Sequence, residues 1–139
     1  MHAPSAVVGL RVVAAAAALD RAIWPAGAIV LRLAPDDVLL LDAAVTGGLG
    51  DRSTVAVDDG DAIVARDAGF AVVEIAEPAA SALLASVCAW PLPTSRPALA
   101  QGAIAGLPGR LWLEPTRVLV LVPAPLAAEL AERLAAAGA

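Results

Sequence analysis

The sequence predicts an α+β domain, an antiparallel sheet of repeated β-hairpins layered against two or three helices. Three observations carry this. Residues 31–41 read Leu-Arg-Leu-Ala-Pro-Asp-Asp-Val-Leu-Leu-Leu, and eighty positions later residues 111–121 read Leu-Trp-Leu-Glu-Pro-Thr-Arg-Val-Leu-Val-Leu, with six identities in register. Short apolar runs elsewhere are separated by Asp/Gly turn clusters. Near the end of the chain, leucines recur every four residues with charged residues at the positions between, a pattern that lines one face of an amphipathic helix.

Each eleven-residue unit is two apolar strands around a proline, whose fixed φ suits the first corner of a turn. An isolated hairpin is marginal in water, so both must join a larger sheet or pack under helices. A repeat written twice makes the domain pseudo-duplicated, and a single repetition excludes a solenoid.

The remaining elements follow in order. Alanine-rich residues 12–23 predict a first helix. Gly47, Gly48 and Gly50 break the chain after the first hairpin. Strands are predicted at 54–57, 62–65 and 70–76, separated by Asp58-Asp59-Gly60-Asp61 and by Arg66-Asp67-Ala68-Gly69, since Asp-Gly is a strong hairpin signal. Pro78 opens a helix running to about Cys88, with Leu83, Leu84 and Val87 on one stripe and Pro91 ending it. After the second hairpin, residues 125–137 form an amphipathic helix: Leu126, Leu130 and Leu134 face inward, and Glu129, Glu132 and Arg133 face out.

Composition limits the function. A length of 139 residues suits one domain, residues 1–139. Hydrophobic residues make up 60% and charged residues 17%, with a mean hydropathy of +0.79. That is ample for a core, yet no unbroken apolar run approaches the ~20 residues of a membrane span. The excess reads as a small-residue core plus surface that a partner covers. The net charge is −5, and the nine basic residues, all Arg, are scattered, which disfavours nucleic acid. One cysteine, Cys88, excludes an internal disulfide framework and fits a reducing compartment. No Lys or Arg precedes Arg11, a poor start for a signal peptide, so the cytoplasm is expected.

No catalytic, cofactor-binding or metal site is read on this chain. His2 is the only histidine, which disfavours histidine acid–base chemistry and His-rich zinc sites. Cys88 falls on an apolar stripe and reads as a buried structural thiol. Asp58, Asp59 and Asp61 lack the alternating ligands and closing Glu of a calcium loop and read as a turn. Gly47-Gly48-Leu49-Gly50 is neither a dinucleotide fingerprint nor a phosphate loop. Asp36 and Asp37, adjacent on a turn, should diverge into water rather than act as a pair. The informative residues are the three tryptophans, Trp24, Trp90 and Trp112. Trp90 is wedged before Pro91-Leu92-Pro93, and Trp112 points opposite to Leu111 and Leu113 on its strand. Large aromatics and Arg anchor interfaces, so Trp112 with Arg110, and Trp90, are the predicted partner-contact residues.

Taken in order, these segments resemble the gamma subunit of heterotetrameric sarcosine oxidase, related in fold to the folate-binding T-protein (aminomethyltransferase) superfamily. The first hairpin is similar to that family's Leu-x-Leu-x-Pro-Asp-Glu-x-Leu-Leu-Leu. Residues 73–92, from Val73-Glu74-Ile75 through Pro78, Leu83, Leu84 and Cys88 to Leu92, resemble its strand-to-helix passage. Ala100-Gln101 is similar to its Ala-Gln pair before a strand, and residues 111–127 to its closing hairpin with Val-Pro-x-x-x-Ala. Ser86-Val87 stands where Lys-Gly often precedes the cysteine, which separates the chain from related iron–sulfur assembly proteins. Residues 42–53 are shorter than the helix the family places there.

The resemblance implies an aminomethyltransferase folate-binding-domain-like fold and a non-catalytic scaffold subunit without its own cofactor. The implied partners are alpha, beta and delta subunits that carry flavins, NAD, zinc and tetrahydrofolate. The implied complex oxidatively demethylates sarcosine to glycine, yields formaldehyde or methylene-tetrahydrofolate, and makes hydrogen peroxide. The alternative is a stand-alone folate- or pterin-binding module with an acidic residue, Asp58 or Glu74, at the base of a pocket.

Overall fold

A computed structural model describes residues 3–45 and 55–138. The chain divides into two compact units, Val7–Ala68 and Met1–Ala6 with Gly69–Ala139.

The first unit is built on the first hairpin. Strands β2 (Ala28–Ala34) and β3 (Asp37–Asp42) pair antiparallel with Leu31 opposite Leu39. Strand β3 pairs in turn with β1 (Ser5–Val13), Leu10 opposite Leu40, and the order closes as β2-β3-β1-β4, where β4 spans Ile63–Ala76. Leu10, Val12, Leu19, Val38 and Leu40 form the core, with Trp24, Val30, Val55, Val57 and Val64 at its margin. Two such strands approach closely only because position 9 is glycine: a Cβ there would lie 2.7 Å from the Leu40 carbonyl oxygen.

The second unit continues β4 and adds α2 (Ala79–Val87), β5 (Ala98–Ile104), β6 (Leu107–Leu113), β7 (Arg117–Pro123), a single 3₁₀ turn (Ala124–Leu126) and α3 (Ala127–Ala136). Its order is β4-β7-β6-β5, with antiparallel pairing. Val73, Ile75, Leu83, Leu84, Leu111, Leu113, Val118, Val120, Leu130 and Leu134 pack as one cluster between the sheet and the two helices. Leu130 and Leu134 are the buried residues of α3, so the four-residue spacing read in the sequence is its inner face.

The duplicated hairpins occupy the same topological place. In each unit the second hairpin strand pairs with an earlier strand, Leu39 opposite Arg11 and Leu119, eighty positions on, opposite Glu74, while within the hairpins the register differs by one residue: Leu31 lies opposite Leu39, but Leu111 lies opposite Val120. The repeat therefore extends beyond eleven residues to a β-α-β-β order, used once as β1-α1-β2-β3, where α1 is Ala16–Asp20, and once as β4-α2-β6-β7 with β5 inserted.

Several sequence expectations are corrected. The helix expected at 12–23 shrinks to the five residues of α1, and Val12 belongs to β1. The valines at 7, 8, 12 and 13 favour the pleated surface over a helix turn. The turn expected at 66–69 is absent, and 63–65 with 70–76 belong to one continuous β4, Ala62 lying just before it. Gly69 stays out of the left-handed region, and Asp67 is held by Arg11 at 2.9 Å instead of turning the chain. At 54–57, Thr54 lies outside the described residues, and Ala56 makes an isolated bridge to Ile23 rather than a sheet strand. Ala100-Gln101 lies inside β5, not before a strand. Pro78 caps α2 rather than joining its first turn, and the helix ends at Val87, before Pro91, because Cys88 is extended. Among the described residues no helix is long and apolar enough to cross a membrane.

Candidate functional site

Arg110 and Trp112 lie on the β5–β6 hairpin. Its loop, Ala105-Gly106, has φ of 50° and 80°, and positive φ at both central residues is what a type I′ hairpin requires. Three contacts fix this hairpin on its helical side. Arg133 of α3 donates Nη1 to the Ala105 carbonyl at 2.7 Å, and the Ala105 N–H donates to Val87 at the end of α2 at 2.8 Å. The Trp90 indole donates to the Ala103 carbonyl at 2.8 Å and lies over Gly102, where a Cβ would come within 2.6 Å of the ring.

Side chains alternate along a strand, so the opposite face presents three cross-strand pairs: Leu99 with Trp112, Gln101 with Arg110, and Ala103 with Pro108. Gln101, Ala103 and Pro108 are exposed, and Leu99, Arg110 and Trp112 are half-buried. Arg110 donates Nε to Gln101 Oε1 at 3.1 Å and stands 5.8 Å above the centre of the Phe70 ring, within cation–π range. A shallow cavity of about 480 Å³ opens here, lined by Gln101, Ala103, Pro108, Gly109, Arg110 and Pro123.

Beside this strip runs a charged network. Trp112 donates its indole N–H to Glu114 Oε1 at 2.9 Å, Arg117 Nε donates to Glu114 Oε2 at 2.7 Å, and Arg117 Nη1 reaches Glu74 at 3.1 Å. The Arg117 hydrogen bonds, with that from Trp112, outweigh burial and hold the Glu114 carboxyl below the usual carboxylate range. The bonds to Glu114 and, secondarily, to Glu74 push the Arg117 guanidinium up.

Of the predicted contact residues, Arg110 and Trp112 are thus brought onto one strip, and Trp112 does point away from Leu111 and Leu113, both fully buried. Trp90 is not with them. It serves the other face, packed against the helical core. The lock between Trp90 and Gly102 and the ring under Arg110 were missed in the sequence. Two glycines facing each other across a hairpin, Gly102 and Gly109, were the signal that something must pass close to them.

The other candidates also find their places. Cys88 is partly buried against the same core, and burial pushes its thiol up, away from a reactive thiolate. Asp59 accepts N–H bonds from Ala15 at 2.8 Å and Asp61 at 2.9 Å, which lower its carboxyl and close the expected turn. Asp58 is exposed. Asp36 is exposed too, but Asp37 does not diverge into water: Arg11 grips both its oxygens, at 2.5 and 2.7 Å. Glu74, the other acidic candidate, is exposed and paired with Arg117. His2 and Gly47-Gly48-Leu49-Gly50 lie outside the described residues.

This architecture is that of a mixed α+β protein with seven strands, paired antiparallel, and a few helices among the described residues. A solved structure it is similar to is the heterotetrameric sarcosine oxidase from Corynebacterium sp. U-96 in complex with pyrrole 2-carboxylate. The TM-score to a chain of that enzyme is 0.67 at 19% identity, covering 96% of this chain and 80% of that one. No family model and no curated protein sequence matches.

Proposed function

We propose that the chain is a non-catalytic structural subunit, gamma-like, of a heterotetrameric sarcosine oxidase-type flavoenzyme complex. The observation that carries this reading is the shared fold over 96% of the chain, with two chains of comparable size. The hairpin and strand-to-helix motifs that resemble the gamma family support it independently. In this reading the partners are alpha, beta and delta subunits in the cytoplasm, and flavins, NAD, zinc and tetrahydrofolate reside on them. The reaction, oxidative demethylation of sarcosine or a related N-methyl amine, belongs to the assembly.

The strip of Trp112 and Arg110 is the contact we assign to a partner, because rigid aromatic and guanidinium groups anchor interfaces. Trp90 contributes indirectly by fixing the hairpin that presents it. A tagged copy isolated from its native cell should bring down a yellow flavoprotein with the absorption spectrum of bound flavin, and should show no oxidase activity by itself. Trp112→Ala should weaken that association by about tenfold or more. Unchanged assembly with a lowered melting point would return Trp112 to the core.

A further inference from the structure

We propose that Arg133 is a positioning residue for the partner contact: reaching across from α3, it latches the strained tip of the β5–β6 hairpin and so fixes the wall of Ala103 and Pro108 beside Arg110. This holds on the reading of the chain as a subunit that meets its partner through this hairpin.

The tip is costly to hold. Ala105 has φ of 50°, a left-handed conformation that crowds the Cβ of an L residue against its own backbone and that glycine or asparagine adopts far more readily. Such a residue persists only where its surroundings over-determine it. Both main-chain groups of Ala105 are taken by helices: its N–H donates to the Val87 carbonyl at the end of α2 at 2.8 Å, and its carbonyl accepts from Arg133 Nη1 at 2.7 Å. A charged donor makes the second bond stronger than a neutral one would. Arg133 is braced in turn by Glu129, one helical turn back, through Nη2. The guanidinium passes so close to the turn that a Cβ at Gly106 would lie 2.7 Å from Nη1.

Between the tip and the strip the hairpin has little rigidity of its own. Pairing of β6 with β7 runs from Arg110 to Leu113, so the ribbon of residues 102–109 extends past that ladder. A two-stranded ribbon is marginal, and this one sets Gly102 opposite Gly109, which weakens it further. Its order comes from outside, from Trp90 over Gly102 and from the two bonds at Ala105. On the opposite face the same ribbon carries Ala103 and Pro108, which line the cavity with Arg110. Trp112 needs no such help, because it lies within the β7 ladder and donates to Glu114. A wall fixed before contact spares the partner the entropy of ordering it. The Arg133 side chain is 41% exposed, so its truncation leaves the core whole.

Four forms of the full chain test this: wild type, Arg133→Ala, Ala105→Asn and the double variant. The probe is the flavoprotein that the tagged wild-type chain brings down from its native cell. Arg133→Ala should speed exchange of the Ala105 amide and weaken association, each by about tenfold, and keep the melting point, because the tip opens locally. Asparagine before glycine adopts a type I′ turn readily, so Ala105→Asn in the Arg133→Ala background should restore association. Alone, Ala105→Asn should raise the melting point, and a lowered one overturns the strained tip on which the latch stands. An Arg133→Ala chain that associates as tightly as wild type, whatever its melting point, makes the latch structural only and leaves the subunit reading intact. A loss that Ala105→Asn does not repair also overturns the proposal, because Arg133 would then meet the partner itself. A wild-type chain that brings down no flavoprotein overturns both readings.

Discussion

The two hairpins carry the same device with the charges exchanged. In the first unit Arg11 on β1 holds Asp37, the first residue of β3. In the second, Glu74 on β4 holds Arg117, the first residue of β7. The positions correspond, because Arg11 lies opposite Leu39, Glu74 lies opposite Leu119, and Asp37 and Arg117 are eighty residues apart. Each arginine also takes a second carboxylate, Asp67 for Arg11 and Glu114 for Arg117. The fold requires a tie between hairpin turn and neighbouring strand at this point, and it is indifferent to which strand supplies which sign. What separates the units is the inserted β5 and the two longer helices, and it is there that the exposed strip arises.

The comparison can be broken hardest in the core. Leu39→Ala and Leu119→Ala remove fully buried side chains at equivalent positions and should each cost about 2–5 kcal/mol by urea denaturation. A cost under about 1 kcal/mol at one of them would show that the equivalence ends at topology. Next come the glycines. Gly9→Ala pushes a Cβ against the Leu40 carbonyl, which is backbone and cannot move alone, whereas Gly102→Ala meets the Trp90 ring. Both should destabilise, by about 1–3 kcal/mol, with Gly9→Ala the worse. The Gly102 cost should shrink in a Trp90→Ala background, and additive costs would deny the contact.

The charge ties should matter less. Arg11→Ala leaves Asp37 and Asp67 facing each other, and Arg117→Ala leaves Glu74 and Glu114, for a loss of about 1–2 kcal/mol each at neutral pH. Similar losses in both, measured by thermal unfolding, would confirm that the sign exchange is neutral. The smallest effect is in acid. The folded-state Glu114 carboxyl is depressed, so its contribution is full above the ordinary Glu value of 4.5 and is lost as pH falls below it through the folded value. Glu114→Gln should flatten that part of the stability–pH curve, and an unchanged slope would assign acid sensitivity elsewhere.

The hairpins and the last helix were legible because their signals are strong and local: proline between β-branched or leucine runs, and leucines every four residues. Three elements were not. Residues 5–13 carry no strand reading in the sequence, and alanine propensity draws Val12 and Val13 into an expected helix where pairing with β3 decides for a strand. Strand β4 was split because Asp-Ala-Gly mimics a turn, and only the Arg11 contact with Asp67 shows why it stays extended. Strand β5 lacks β-branched residues until Ile104 and is defined by its partner, not by itself. Of the predicted contact residues, the alternation of Leu111, Trp112 and Leu113 placed Trp112 on its face correctly. Nothing local could place Trp90, whose position depends on a glycine twelve residues on.

That dependence leaves a mark that evolution can be expected to preserve. An indole at position 90 tolerates no side chain at 102, and an empty 102 without the indole would leave a hole over the sheet. Related chains should therefore change these two positions together or not at all, a covariation visible in sequences alone.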